Sequence, residues 1–466
     1  MNKEKKQIID CEMLRLEALK KYAPLKENWS FPDKALFSPK MIFNVENIDA
    51  HDLRLKAIKY SFNQHYTKSF FYNKFCKDLE VKPNDIKTEK DFHKIPLISD
   101  ILFKDHPEKG AEFLNWLNKI YIGDFPDFEN IEKKIDYDKV IDLFQKENTT
   151  LVYSSGTSGT FSFVPKDLLT WNRQMYVCSR IFEFSPYSLK SPDSTVIWLG
   201  PRPNMTHMYI GRLPLMLLEL FGHADIYFGI DRELTTKIIK LLMGSEKGLH
   251  NRIKSGLIKI ISARQQNKTM ERLIQILEKK ENGGEIVIGG TPFFIDMFMK
   301  KILEQGLKFN IEKGIVITAG GWKRFSGMKL PEEELHDKIN SVFGIPKQNC
   351  RDIYGMAECT ALNVSCEGHY KHIPHSIVYP MALDEESEPV GFDEYGRFAF
   401  IDPLANSYPG FIMTGDKVKI LEHCPVCDRP GPVICGEVTR FSGIQDRGCG
   451  AALARMFSEE VSKNIK

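Results

Sequence analysis

TTLVYSSGTSGTFSFVPK, residues 149–166, begins as a run of β-branched and aromatic residues and breaks at Ser154 into glycines and short hydroxyl side chains. That pattern predicts a buried strand running into a tight turn, with a helical pattern resuming at Leu168. The turn carries Ser154, Ser155, Gly156, Thr157, Ser158 and Gly159. Backbone N–H groups exposed among small hydroxyl side chains suit a polyphosphate. A Ser/Gly surface hairpin is the plainer alternative. No Gly-Lys-Ser/Thr follows, so this is not a Walker-type loop.

Five further runs have the same strand character: TVIWLG (195–200), ADIYFG (224–229), EIVIGG (285–290), GIVITAGG (314–321) and RDIYG (351–355). Amphipathic stretches alternate with them at 168–184, 233–243, 269–280, 291–306 and 331–343. Strand and helix in alternation predict an α/β fold with mostly parallel sheets flanked by helices. Several strands end in glycine, at Gly289-Gly290, Gly320-Gly321 and Gly355, where the ligand crevice of such a sheet opens. Upstream, residues 1–148 read as mainly helical. Residues 149–435 form the α/β core, which turns Pro-, Gly- and Cys-rich from about Phe400, and 436–466 read as a short tail.

The chain has 466 residues with a formal net charge of +2, and no cationic run stands out, which argues against nucleic acid as a partner. The N-terminus, MNKEKKQIIDCEMLRLEALKKY, is charged and helix-like rather than a signal peptide. The longest apolar stretch, about Leu213 to Phe221, is far too short to span a membrane. A cytoplasmic setting follows, in which the ten cysteines are thiols, metal ligands or catalytic groups rather than disulfides. A homo-oligomer is compatible with all of this.

Four segments in order carry a resemblance. SSGTSG resembles the signature loop of the adenylate-forming superfamily, which includes acyl-CoA synthetases, luciferases and peptide synthetase adenylation domains. In that family Gly-x-Pro-Lys follows directly; here Pro165-Lys166 stands further away. Gly320-Gly321 lies where the family has its adenine turn. Tyr354-Gly355-Met356-Ala357-Glu358 is similar to the family's Tyr-Gly-x-Thr-Glu, with Ala357 in place of the hydroxyl residue. The resemblance implies that Tyr354 flanks the adenine and Glu358 helps hold Mg²⁺. Asp416, in Thr414-Gly415-Asp416, matches the aspartate that binds both ribose hydroxyls, and Arg440 joins the nucleotide contacts. A carboxylate accepting from vicinal hydroxyls and a hard oxygen on Mg²⁺ make physical sense of both acids. His207 stands where relatives line the acyl pocket, and a hydrogen-bonded core or surface histidine is the equal alternative. The implied fold is the large domain of an adenylate-forming enzyme with a truncated C-terminal part. Neither Lys463 nor Lys466 is assigned the role of the superfamily's C-terminal lysine.

Two branches fit this outline: phenylacetate–CoA ligases, and the acyl-protein synthetases of the bacterial fatty-acid reductase complex associated with bioluminescence. FYNKFCKDLEVKPNDIKTEKDFHKIPLI resembles both. Gly-Gly-Trp-Lys at 320–323 and the closing GEVTRFSGIQDRGCGAALA resemble the synthetases in particular. That family's chemistry implies ATP, a fatty acid, an acyl-adenylate, and transfer to a cysteine near the C-terminus for delivery to an acyl reductase subunit. Cys449 occupies the matching position, between Gly448 and Gly450 and beside Arg447. A cation lowers thiol pKa, although an incidental thiol reads the same way in isolation. Lys166, Glu358 and Cys449 are thus the candidate catalytic groups. A CoA ligase using coenzyme A directly, and a nucleotide-binding scaffold without activity, remain as alternatives.

HCPVCDRPGP holds Cys424-x-x-Cys427, whose spacing suits one tetrahedral Zn²⁺, a redox pair or incidental thiols. SCEGHYKHIPH supplies Cys366 and His372. Phenylacetate–CoA ligase relatives look alike here, which implies zinc on Cys366, His372, Cys424 and Cys427, with His369 or Cys435 as substitutes.

Overall fold

The computed structural model describes residues 15, 17–128, 135–155, 160–187, 189, 193–243, 249–322 and 329–441. Its strands, in chain order, begin with β1 (Ile98–Ser99), β2 (Thr150–Ser155), β3 (Phe161–Lys166), β4 (Thr195–Pro201), β5 (Asp225–Ile230), β6 (Ile286–Gly290) and β7 (Gly314–Ala319). There follow β8 (Cys350–Tyr354), β9 (Asn363–Ser365), β10 (Lys371–His372), β11 (Tyr379–Leu383), β12 (Tyr395–Ile401), β13 (Phe411–Leu421) and β14 (Val433–Arg440). One large sheet runs β11-β12-β13-β14-β10-β9-β8-β7-β6-β4-β5, with β1 added on β13.

The half of this sheet from β5 to β8 is parallel throughout. Its strands are apolar on both faces, as parallel strands under helices must be. Alternate side chains divide between two cores. Val196, Val287, Ile315 and Ile317 face the large core shared with the N-terminal helices. Ile197, Leu199, Ile286, Ile288 and Val316 face a second core, closed by helices Leu249–Lys280, Pro292–Glu304 and Glu332–Phe343. Met270, Leu273, Ile274 and Leu277 supply the first helix's apolar stripe at helical spacing.

The other half departs from the parallel expectation. From β8 onward the sheet pairs antiparallel, β8 to β9, β9 to β10, β10 to β14 and through β13 to β12 and β11. Short connections such as 355–362, between β8 and β9, and 366–370, between β9 and β10, leave no chain for a crossover helix, so neighbouring strands must reverse. The strand at 149–155 is not in the large sheet at all. It pairs antiparallel with β3 in a two-stranded ribbon, from Thr150 opposite Lys166 to Ser155 opposite Phe161.

Two other boundaries move. The helix expected at 269–280 begins at Leu249. The tail boundary at 435 falls inside β14, whose residues 436–440 remain in the sheet. The N-terminal helices are no separate body. Phe62, His65 and Tyr72 set their rings against Phe411 of β13, with centroids 6.0, 5.6 and 5.4 Å away. Burying aromatic rings of this size contributes roughly 2–3 kcal/mol each, so the first helices and the last strands stabilise one another.

Candidate active site

The site forms where β7 and β8 of the parallel half end beside β13 and β14 of the other half. β7 closes in Gly320 and Gly321, at φ 81° and 59°, a left-handed pair that glycine adopts without strain. β8 closes in Tyr354 and Gly355, where an added Cβ would stand 2.5 Å from Leu362 Cδ2. On β13, Asp416 lies opposite Arg440 of β14. The Tyr354 hydroxyl donates to Asp416 Oδ2 at 2.8 Å, and Arg440 Nη1 reaches Asp416 Oδ1 at 2.9 Å. Tyr354, Asp416 and Arg440, named separately from sequence, therefore meet in one cluster.

Glu358 follows β8 in a turn that is fixed from below. Tyr408 donates from its hydroxyl to the Glu358 carbonyl at 3.2 Å, and Lys166 Nζ donates to that hydroxyl at 2.8 Å. Asp402 accepts from the Thr360 and Leu404 N–H groups at 2.5 and 2.9 Å. Burial pushes the Glu358 carboxyl above its ordinary range, with Lys104 pulling it back and Asp100 pushing it further. Burial also raises Asp416, against Arg440 and the Tyr354 hydrogen bond, and again Asp100 and Lys104 act on it.

Asp100 and Lys104 thus face both carboxylates, and the sequence reading missed them. β1 pairs parallel with β13, Ile98 with Ile412 and Ser99 with Met413, which carries Asp100 to the strand that bears Asp416. Lys104 pairs with Asp100 one helical turn on. Burial works against the Lys104 cation, but Asp100 and Glu358 outweigh it and hold the ammonium above its usual value. The available signal was the short apolar run before Ser99-Asp100, which ends in polar residues as the other site-forming strands do.

Lys166 lies at the far end of the ribbon from the start of the Ser/Gly turn. It ends β3 at the opposite end of the ribbon from Ser155, five rungs away, which is roughly 17 Å at strand spacing. It is fully buried, and desolvation pushes its ammonium down to about 8 despite Asp402, Cys359 and Glu358 nearby. Its ammonium donates to the Tyr408 hydroxyl, which in turn donates to the Glu358 carbonyl.

Ser154 Oγ lies 2.6 Å from Ser162 Oγ across the ribbon, and Ser155 is the last residue of β2. Gly156, Thr157, Ser158 and Gly159 lie outside the described residues, as does Cys449. His207 stands beside the ribbon, its carbonyl accepting from the Tyr153 N–H at 3.1 Å. Its Nδ1 is buried without a hydrogen-bond partner, and burial with Arg212 pushes the imidazole down to about 4.

Cys366, His372, Cys424 and Cys427 come together, with all four donor atoms within 4.8 Å of one another. Cys366 Sγ lies 3.8 Å from Cys424 Sγ, and Cys427 Sγ lies 3.2 Å from His372 Nε2. A tetrahedral zinc with thiolates at about 2.3 Å requires sulfur–sulfur edges of about 3.8 Å, so the donor set fits that ion. Neither substitute joins the four. His369 lies against His336, and Cys435 sits on β14 opposite Lys419.

A 2-hydroxyisobutyryl-CoA ligase in complex with 2-HIB-AMP and CoA superposes with a TM-score of 0.60 at 13% identity, covering 90% of this chain and 74% of that one. The same ligase in its post-adenylation state with R3-HIB-AMP gives 0.58 at 13% identity, covering 88% and 73%. The chain has the adenylate-forming ligase fold. Residues 259–458 match the family model described as acyl-protein synthetase, LuxE. A long-chain-fatty-acid–luciferin-component ligase of Vibrio harveyi is 27% identical over 183 residues, 38% of this chain and 47% of that protein. The match thus spans about half the length of that curated relative. Among the described residues no helix is long and apolar enough to cross a membrane.

Proposed function

We propose that this chain is an acid–thiol ligase that activates a long-chain fatty acid with ATP. The carboxylate oxygen attacks the α-phosphorus, the bond to the β-phosphate bridging oxygen breaks, and pyrophosphate leaves. A thiolate then attacks the acyl carbonyl of the adenylate, forming a thioester and expelling AMP. The observation that carries the reading is the convergence of Glu358, Asp416, Tyr354 and Lys104 beside the end of β8 in an adenylate-forming ligase fold. The matched family model and the fatty-acid ligase from Vibrio harveyi favour a fatty acid as the substrate.

In this reading Asp416 accepts hydrogen bonds from the ribose hydroxyls, with Arg440 beside it. Glu358, buried and facing a cation, is the residue that would hold Mg²⁺, which when bound supplies charge neutralisation on the phosphates. Lys104 adds a fixed cation next to Glu358, where negative charge builds as pyrophosphate departs. His207 lines the acyl side. Cys366, His372, Cys424 and Cys427 would hold a structural zinc, since four protein ligands leave no open position. Cys449 is the proposed acyl acceptor, and an acyl reductase subunit the proposed recipient. A thiolate is the strongest nucleophile a side chain offers near neutral pH.

The 2-hydroxyisobutyryl-CoA ligase complex, which holds CoA on the same fold, favours a second reading in which coenzyme A is the acceptor. Incubating the full chain with ATP, Mg²⁺ and a panel of fatty acids separates the two. A hydroxylamine-labile acyl adduct by intact mass, absent in Cys449→Ser while pyrophosphate release persists, is the expected result. A thioester that appears only with added coenzyme A would replace the acyl-protein reading with the CoA ligase, and an adduct that survives Cys449→Ser would overturn Cys449 as the acceptor. No acid-dependent pyrophosphate release with any acid would leave a nucleotide-binding scaffold.

A further inference from the structure

A second group of metal-type side chains lies outside both the nucleotide site and the four-residue Cys/His group. Glu332 and His336 stand one turn apart on the first part of helix Glu332–Phe343, and so project from the same face. His369 comes to them from the turn between β9 and β10. The donor atoms of all three lie within 4.8 Å of one another.

The two imidazoles are close, with ring centroids 4.4 Å apart and planes tilted by 36°. His336 is 5% exposed. His369 Nδ1 is buried and lacks a hydrogen-bond partner. Buried polar atoms are nearly always satisfied, so this nitrogen, beside a second buried imidazole, needs an explanation. Burial pushes His336 down to about 4 and also lowers His369, so both rings are neutral near pH 7. Neutral imidazoles in that condition each keep a lone pair available, which is the form that binds metal.

Arg351, Lys371 and Lys347 act on the rings electrostatically, and Asp352 opposes them. Lys371 is paired with Asp352 at 3.3 Å. Glu332 adds a carboxylate at the solvent side of the cluster.

We propose that Glu332, His336 and His369 form a second metal site, for a divalent transition ion of the zinc class, bound by two imidazoles and one carboxylate. Imidazole with carboxylate suits zinc, cobalt and nickel, whereas magnesium and calcium prefer all-oxygen sites. Three protein ligands leave a position for water, so the site is open where the Cys/His group is closed. It also ties the helix that follows the Gly320–Gly321 segment to the turn between Cys366 and His372.

The test uses the full chain stripped of metal and titrated with Co²⁺, whose visible spectrum reports coordination. Wild type should show two binding events, one with strong thiolate charge-transfer absorption and one without. Cys424→Ser should remove the first and keep the second. His369→Gln, a change in a half-exposed turn, should remove the second and keep the first, and His336→Ala should do the same. Equilibrium dialysis with Zn²⁺ should show the same split, with at least a tenfold loss of affinity at the second site alone. Circular dichroism confirms that each variant is folded. One binding event in wild type, or a second event untouched by His369→Gln, overturns the proposal.

Discussion

The two halves of the large sheet each supply one carboxylate to the site, and they hold it in different ways. Glu358 comes from the parallel half, in the turn after β8, where no ladder fixes the backbone. Its position depends on Tyr408, Asp402 and Lys166 from elsewhere in the chain. Asp416 comes from the antiparallel half and sits on a strand, opposite Arg440, with its backbone set by the sheet itself. Its oxygens are already engaged by Tyr354 and Arg440, both of which can yield to a ligand. A carboxylate anchored in a buried turn suits charge stabilisation during bond making. One on a strand with exchangeable partners suits recognition of an unreacting part of the substrate.

The largest effect should follow from breaking the first of these. Glu358→Gln keeps the shape of the side chain and removes its charge, so the folded structure and ATP affinity should change little. Acid-dependent pyrophosphate release should fall by roughly 100- to 1,000-fold, the usual cost of losing one preorganised electrostatic contact in a transition state. A rate within threefold of wild type would mean that Glu358 is only a buried acid.

Next is the Cys/His group, which joins the β9–β10 turn to the segment between β13 and β14. Cys424→Ser should lose its zinc by elemental analysis and lower the Tm by on the order of 5 °C, because metal bound to the native state alone is folding free energy. Cys435→Ser should keep the metal. Equal zinc in both variants would dissolve the distinction drawn between those two cysteines.

Asp416→Ala should act on binding rather than on chemistry. Losing a charged acceptor for two hydroxyls weakens ATP by roughly 10- to 100-fold, with kcat at saturating ATP much less affected. If kcat falls as far as it does in Glu358→Gln, the two halves of the sheet do not divide the work in this way.

How legible these parts were follows from what each depends on. The parallel strands and their helices are written locally, as apolar runs ending in glycine; of the Cys/His group only the Cys424-x-x-Cys427 spacing is local, and the resemblance to phenylacetate–CoA ligases brought in Cys366 and His372. Asp100 and Lys104 were not legible, because what gives them meaning is the pairing of a two-residue strand, β1, with a strand more than 300 residues later. Lys166 shows the converse. Its place after the Ser/Gly loop suggested a phosphate contact, and the antiparallel pairing of β2 with β3 carries it to the far end of the ribbon.

The smallest expected effect tests whether the turn that holds Glu358 carries a cost in stability. Lys166 is buried, and desolvation lowers its folded-state value to about 8 from an ordinary value of 10.5. Below pH 8 the ammonium is charged in both states, and its burial disfavours the fold by the full amount. Between about pH 8 and 10.5 the native state has released the proton while the unfolded chain still holds it. The unfolded state then binds more protons, and stability rises with pH. Lys166→Met keeps the volume and removes the titration. The difference in unfolding free energy between wild type and variant should therefore shift in favour of wild type by about 1 kcal/mol per pH unit across that window. Taking the difference removes every other group that titrates in the same range. A difference that stays flat from pH 7 to 10 would mean that the lysine keeps its proton throughout, and that Asp402 and Glu358 compensate its burial more fully than desolvation opposes it.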